Sequence, residues 1–237
     1  VVIGPVPGMV GIGLERGLTR SMQIAGGVEA ELPGQFQAVV QAYDSVLRTG
    51  VDFSLTAENL GLDEEFDAPL ASEGRSYGLE LVLRRQLGGS VFGWATYSLS
   101  RSQRRAKGYG TMPFMFDQTH VVNTVVSWEV GRRWTLGAAY HYHTGRPYTP
   151  ECADVTGDFL VPCRREPFSQ RLPDFWKLDV RIQKREVFET WYFDFYIDVL
   201  NVTFNRETVG YSLDERGERV ADRALFFVPM LGLRAVF

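Results

Sequence analysis

What most constrains this chain is a period-two alternation of apolar and polar residues, repeated along most of its length. Between Trp191 and Asn201, the residues Trp191, Phe193, Phe195, Ile197 and Val199 share one parity, and Tyr192, Asp194, Tyr196 and Asp198 share the other. A helix would scatter these side chains around its circumference, whereas a strand sorts them onto two faces. Trp176, Leu178, Val180 and Ile182 alternate in the same way with Lys177, Asp179, Arg181 and Gln183. The pattern recurs over 134–143, 122–129, 77–84, 35–42 and 231–237, and more weakly near 21–32 and 91–101, which makes nine strands. No comparable helical period is present. The acidic, Pro-containing segment Leu60–Leu70 reads as loop.

The connections alternate in length. Short ones fall at Leu32–Gly34, Leu87–Ser90, Gly131–Arg133 and Phe188–Thr190; long ones fall at Arg48–Gly74, Ser102–Gln118, Gly145–Leu172 and Thr203–Arg223. All tight turns then lie at one end of the sheet and all large loops at the other. That asymmetry belongs to up-and-down barrels of outer membranes, and a soluble meander barrel has no reason to segregate its loops so strictly. The expected strands of about 11–14 residues suit a tilted membrane crossing better than a globular sheet. Trp128, Trp134, Trp191 and Phe237 lie beside the short turns, where an interfacial aromatic girdle is expected. Lys177, Asp179, Arg181, Asp194 and Asp198 could not sit unpaired in a dry core. A wet or polar-filled lumen accepts them, with cross-strand pairing as their expected role.

Composition excludes other classes. No apolar run reaches the ~18 residues of a spanning helix. The chain is 45% apolar with a net charge of −4, which excludes disorder, and its pI of about 5.5 argues against a nucleic-acid binder. No nucleophile elbow, zinc-protease motif or phosphate-cradling glycine loop is present, so no enzymatic activity and no cofactor is expected.

Phe116-Asp117-Gln118-Thr119-His120 enters one strand and Thr144-Gly145-Arg146-Pro147-Tyr148-Thr149-Pro150 leaves the next. These segments resemble TonB-dependent outer-membrane receptors. The hairpin from Leu172 to Asn205, with Asp198-Val199-Leu200-Asn201-Val202-Thr203, is similar to the penultimate one of such barrels. The ending Leu231-Gly232-Leu233-Arg234-Ala235-Val236-Phe237 is similar to their last strand. The resemblance implies an antiparallel transmembrane β-barrel segment over residues 21–237, forming the last nine of 22 strands, with 1–20 as an extracellular loop remnant. It also implies a barrel-assembly signal in Leu231, Leu233, Ala235 and Phe237, read by the barrel-assembly machinery. The other partners implied are outer-membrane lipid and lipopolysaccharide, a plug domain and the inner-membrane TonB complex. The plug and its energy-coupling box are missing from this sequence. Val1 is not an initiator Met, the first residues do not form a signal peptide, and nine strands cannot close a barrel without leaving open edges. The chain therefore reads as part of a longer protein. The implied role is uptake of a scarce nutrient: an iron chelate, a cobalamin-like compound or an oligosaccharide. The competing readings are a small stand-alone outer-membrane barrel with an adhesin, porin or enzyme role, and a soluble β-sandwich, which the inward charges oppose.

Candidate binding residues lie in the extracellular loops and upper lumen. Arg101, Arg104, Arg105 and Lys107 form a cluster suited to an anionic substrate or to lipopolysaccharide phosphates, or else a solvated charge run. Tyr109, Phe114 and Phe116 in the same loop suit a vestibule wall or loop packing, and Tyr148 joins them from the next loop. His141 and His143 share an inward face, where lining a polar lumen outweighs metal binding because no carboxylate or Cys stands at ligand spacing. His120 reads as structural. Cys152 and Cys163, ten residues apart within one loop, suit a disulfide in an oxidising compartment, with two unpaired thiols as the alternative.

Overall fold

A computed structural model describes residues 19–52, 54–56, 70–85, 89–150, 153–156, 159–162, 166–214, 216 and 218–237. Every regular element in it is a β-strand. The long strands are β1 (Arg20–Leu32), β2 (Phe36–Asp52), β3 (Leu70–Arg85), β4 (Val91–Ala106), β6 (His120–Gly131), β7 (Trp134–His143), β12 (Phe175–Val187), β13 (Tyr192–Leu200) and β16 (Val228–Val236). They pair antiparallel in the order β1-β2-β3-β4-β6-β7-β12-β13-β16, each long strand beside the next in sequence. The sheet is open, with β1 and β16 at its edges.

The short elements belong to the long loops. Strand β5 (Gly110–Pro113) folds back on β4; β8 (Pro147–Tyr148) pairs with β11 (Gln170–Arg171); β9 (Ala153–Thr156) pairs with β10 (Phe159–Pro162); β14 (Arg206–Leu213) pairs with β15 (Arg219–Leu225). Their alternation is too short to show in the sequence: β8–β11, β9–β10 and β14–β15 pair within their own loops, and β5 adds only four residues beside the end of β4. The strands β2, β3 and β4 also run to 16–17 residues, beyond the expected length, since their loop ends continue pairing with one another.

Register fixes the two faces. The cross-strand row Val28–Val40–Leu81–Tyr97–Val122 is apolar, and the row Asp179–Ala139–Val125–Trp94–Arg84–Gln37 belongs to the opposite face. On the first face Val28, Leu83, Val126, Leu136, Ile182, Phe195, Leu231 and Leu233 are all exposed. A wide exposed apolar face marks a surface that meets a membrane or another protein. The only buried apolar cluster among the described residues is small and lies at the loop end: Leu55, Ala106, Met112 and Phe168, with Leu70, Tyr109 and Met115 packed on it. Hydrogen bonding along the strands, rather than a central core, holds the wall together.

At the tight-turn end, Trp191 stacks on Phe188 at 4.3 Å and lies 5.6 Å from the ring of Phe237. Trp128 and Trp134 are exposed at the same end. Gly131, Arg132 and Arg133 carry the positive φ angles that a tight hairpin with native strand twist demands. On the polar face a Cβ at Gly232 would fall 2.0 Å from the Tyr196 ring, so glycine is what lets that ring lie flat across the neighbouring strand.

Candidate functional site

The polar face carries a column of ion pairs. Arg181 lies 3.2 Å from Asp198, its register partner across β12 and β13, and its guanidinium sits 4.0 Å over the Tyr196 ring. Arg185 makes a two-pronged contact with its own register partner Asp194, at 2.7 and 2.9 Å. Lys177 pairs with Asp179 at 2.6 Å, two residues along the same strand. Asp179 also accepts the Asn201 backbone N–H at 2.7 Å, at the bend where β13 ends and Asn201 takes a positive φ. The six charges of this column are thus matched, the condition for holding carboxylates on a partly desolvated surface.

The two histidines sit at the top of that wall. His141 Nδ1 is 2.8 Å from Asn123 Oδ1, and its Nε2 is 3.7 Å from Asp179. His143 Nδ1 is 2.8 Å from Gln118 Nε2, and its Nε2 is 3.6 Å from Glu207 of the β14–β15 hairpin. Carboxylates stand beside both rings, although none stands at ligand spacing in the sequence. Asp179 arrives across β7 and β12, and Glu207 from a distant loop, so sequence spacing could not show either. No group of three metal-ligating side chains exists among the described residues. His120 lies on the apolar face, hydrogen-bonded and stacked with Tyr97.

The arginine cluster divides. In β4, Arg101 and Arg105 share the parity of Leu99 and face outward, while Arg104 faces the polar side. Alternation in a strand forbids the three from forming one patch. Arg104 pairs with buried Asp52 at 3.2 Å, and Asp52 also accepts hydrogen bonds from the Ser54 and Ser72 hydroxyls. Phe114 lies under the Arg104 guanidinium at 3.9 Å and meets Phe116 edge-on at 5.5 Å. Tyr109 packs on the buried loop cluster with Leu55 and Phe168.

Two further groups escaped sequence reasoning. Asp117 is buried, accepts the Ser102 backbone N–H at 2.5 Å and forms an ion pair with Arg171. Arg171 also donates to the backbone oxygens of Asp117 at 2.8 Å and Gly145 at 3.1 Å. One guanidinium thereby ties the 145–172 loop to the loop before β6. Higher up, Tyr148 donates to Gln170 at 2.9 Å, and Arg219 donates to Tyr148 at 2.8 Å and to Gln170 at 3.0 Å. Arg219 also covers the Tyr211 ring at 4.4 Å, and the Tyr148 and Tyr211 rings are 5.3 Å apart. This exposed aromatic–guanidinium group joins two loops 71 residues apart in sequence. Cys152 and Cys163 lie outside the described residues, so their pairing stands as an expectation.

No protein-family model and no curated protein matches this sequence. Solved structures do. The ferric citrate transporter FecA superposes with a TM-score of 0.61 at 14% identity, over 92% of this chain and 31% of its own. The fold is that of a TonB-dependent receptor barrel wall. The ferric-catecholate import receptor Fiu of E. coli K12 gives a TM-score of 0.57 at 12% identity, over 92% of this chain and 27% of its own. The ferric yersiniabactin uptake receptor FyuA of Yersinia pestis gives 0.59 at 12%, over 92% and 29%. The chain thus spans less than a third of the length of these receptors and matches their C-terminal part.

Proposed function

We propose that this chain is the C-terminal barrel segment of a TonB-dependent outer-membrane receptor that imports a scarce nutrient. The observation that carries this is the two-faced sheet: nine long strands with an exposed apolar face, a paired-charge face opposite, and all large loops at one end. The apolar face would meet lipid, and the charged face a lumen occupied by water and a plug domain. Residues 1–20 would lead in from a preceding extracellular loop, and Phe237 would end the barrel-assembly signal. Uptake needs no bond chemistry from these residues; it needs binding at the loops and energy delivered through the plug by the inner-membrane complex.

Among nutrients, an anionic metal chelate suits the loops best. Arg219 over Tyr211, with Tyr148 beside it, offers charge and flat aromatic surface at once. Solved structures of the same fold are receptors for ferric citrate and ferric catecholates, which is said of those proteins. The test is uptake by cells expressing the full-length receptor, with Tyr148→Ala and Arg219→Ala variants at equal surface level. The reading expects chelate binding weakened about tenfold or more per variant, the scale of a lost charge-assisted contact. Wild-type binding of a neutral oligosaccharide in place of any chelate would overturn the substrate class.

A further inference from the structure

The exposed Arg219 guanidinium is held on one side only. Its Nη1 donates to the Tyr148 hydroxyl at 2.8 Å and to Gln170 Oε1 at 3.0 Å, and the Tyr148 hydroxyl donates to that same Oε1 at 2.9 Å. Tyr148 and Gln170 are register partners in the β8–β11 pairing, so the backbone sets the spacing of the two acceptors. The Tyr211 ring lies under the guanidinium at 4.4 Å. Two acceptors at one corner and a ring against one face fix the plane of the group. Among the described residues, nothing bonds its Nε or Nη2, and no carboxylate lies within ion-pair distance of it. Carboxylates of the same hairpin are engaged elsewhere. Asp214 accepts the backbone N–H groups of Arg216 at 2.9 Å and Glu218 at 2.8 Å, and Asp222 accepts the Ser212 hydroxyl at 3.1 Å.

What is left over is the Nε–Nη2 edge: two parallel N–H donors with a full positive charge behind them. Such an edge matches the two oxygens of one planar carboxylate. A phosphate would bring more charge and a third oxygen, and Tyr148, Gln170 and Tyr211 offer no second cation to answer them. The neutrality of Gln170 is decisive. A glutamate in its place would accept the same Nη1 hydrogen and cancel the charge; the carboxamide accepts it and leaves the charge for a ligand. We infer that this fork recognises a single free carboxylate on the periphery of the ligand, and that Gln170 is the positioning residue that makes Arg219 selective for it. The inference rests on the proposal that these loops bind an anionic metal chelate. It narrows that class: a chelate whose acidic oxygens are all bound to the metal offers the fork nothing, whereas one with a carboxylate to spare does.

The test uses the full-length receptor in mild detergent and two probes that differ in one group. Both are the same linear ferric trihydroxamate chelate, one capped by a succinyl group with its free carboxylate and the other by a neutral acetyl group. Calorimetry reads the ratio of the two affinities. Wild type is expected to bind the succinyl chelate about tenfold more tightly, the scale of one charge-assisted bidentate contact. Gln170→Glu, which keeps the size and the acceptor, is expected to bring the ratio to about one. Arg219→Lys, which keeps the charge and loses the fork, is expected to leave a ratio of only a few-fold. Hydrogen exchange at the Leu172 amide, bonded to Arg146 O, should stay as in wild type in both variants, which separates the effect from loss of the β8–β11 pairing. A wild-type ratio near one overturns the inference, and so does a ratio that Gln170→Glu leaves unchanged, since a residue that only pairs two strands would not move it. Equal binding of the two chelates would leave the chelate reading standing. Binding of neither, with binding of a neutral oligosaccharide instead, would overturn the inference and that reading together, so the two failures are distinguishable.

Discussion

Removing the Asp117 carboxylate should release the long loops while leaving the sheet intact. Asp117 is 2% exposed and accepts the Ser102 N–H and the Arg171 guanidinium together. Breaking a buried pair by deleting one partner costs about 3–5 kcal/mol, because the survivor is left uncompensated. Arg171 keeps about a third of its side chain in water, so the lower end applies, about 3 kcal/mol. The loss is local, since both partners sit in loops above the strands. The assay is hydrogen exchange on the full-length receptor, reading the amides of Phe114, bonded to Ser102 O, and of Leu172, bonded to Arg146 O. Asp117→Ala should speed exchange at both by roughly 100-fold, the equivalent of about 3 kcal/mol of opening free energy. Amides in the strand centres, such as Val125 and Val180, should be unchanged. In a double-mutant cycle with Arg171→Ala the two substitutions should be non-additive by about 1–3 kcal/mol. Additive effects, or no acceleration at Leu172, would refute the claim that this pair latches the two loops.

Other outcomes follow from the same geometry. Leu81→Arg places a charge on the outward face and should lower folded barrel stability by about 2–4 kcal/mol, whereas Val82→Arg on the lumen side should cost less than half of that; thermal unfolding in detergent separates them. Gly145→Ala puts a Cβ 1.6 Å from the backbone oxygen of Leu172, so the β8–β11 pairing should be displaced and proteolysis within 145–172 should accelerate. Deleting Phe237, which is 92% exposed beside Trp191, should reduce assembled receptor in outer-membrane fractions several-fold without changing the affinity of what does assemble.

Much of this architecture was legible in sequence because a two-faced sheet shows its design in parity. An apolar face on one side and a polar face on the other impose opposite chemistry on successive residues. The stretch from Phe193 to Val199 therefore announces both faces. What stayed hidden were relations that parity does not encode. Asp117 and Arg171 are 54 residues apart, and Tyr148 and Arg219 are 71 apart, so only the docking of loops brings each pair together. Arg101, Arg104 and Arg105 looked like one cluster because sequence proximity was weighed above alternation. The strand through them puts two on one face and one on the other. The loop hairpins β9–β10 and β14–β15 were unreadable for a related reason: each is two short strands with no shared face to impose a long pattern.

In the proposed function one face of this sheet meets lipid and the other a polar interior. Site-directed spin labelling along β13 separates the two, in the full-length protein reconstituted into bilayers with Cys152 and Cys163 replaced by Ser. Labels at Phe193, Phe195, Ile197 and Val199 should collide readily with dissolved oxygen and poorly with a water-soluble nickel chelate. Labels at Tyr192, Asp194, Tyr196 and Asp198 should show the reverse or be shielded from both. Alternation with the opposite phase, or uniform access of the nickel chelate to both sets, would contradict it.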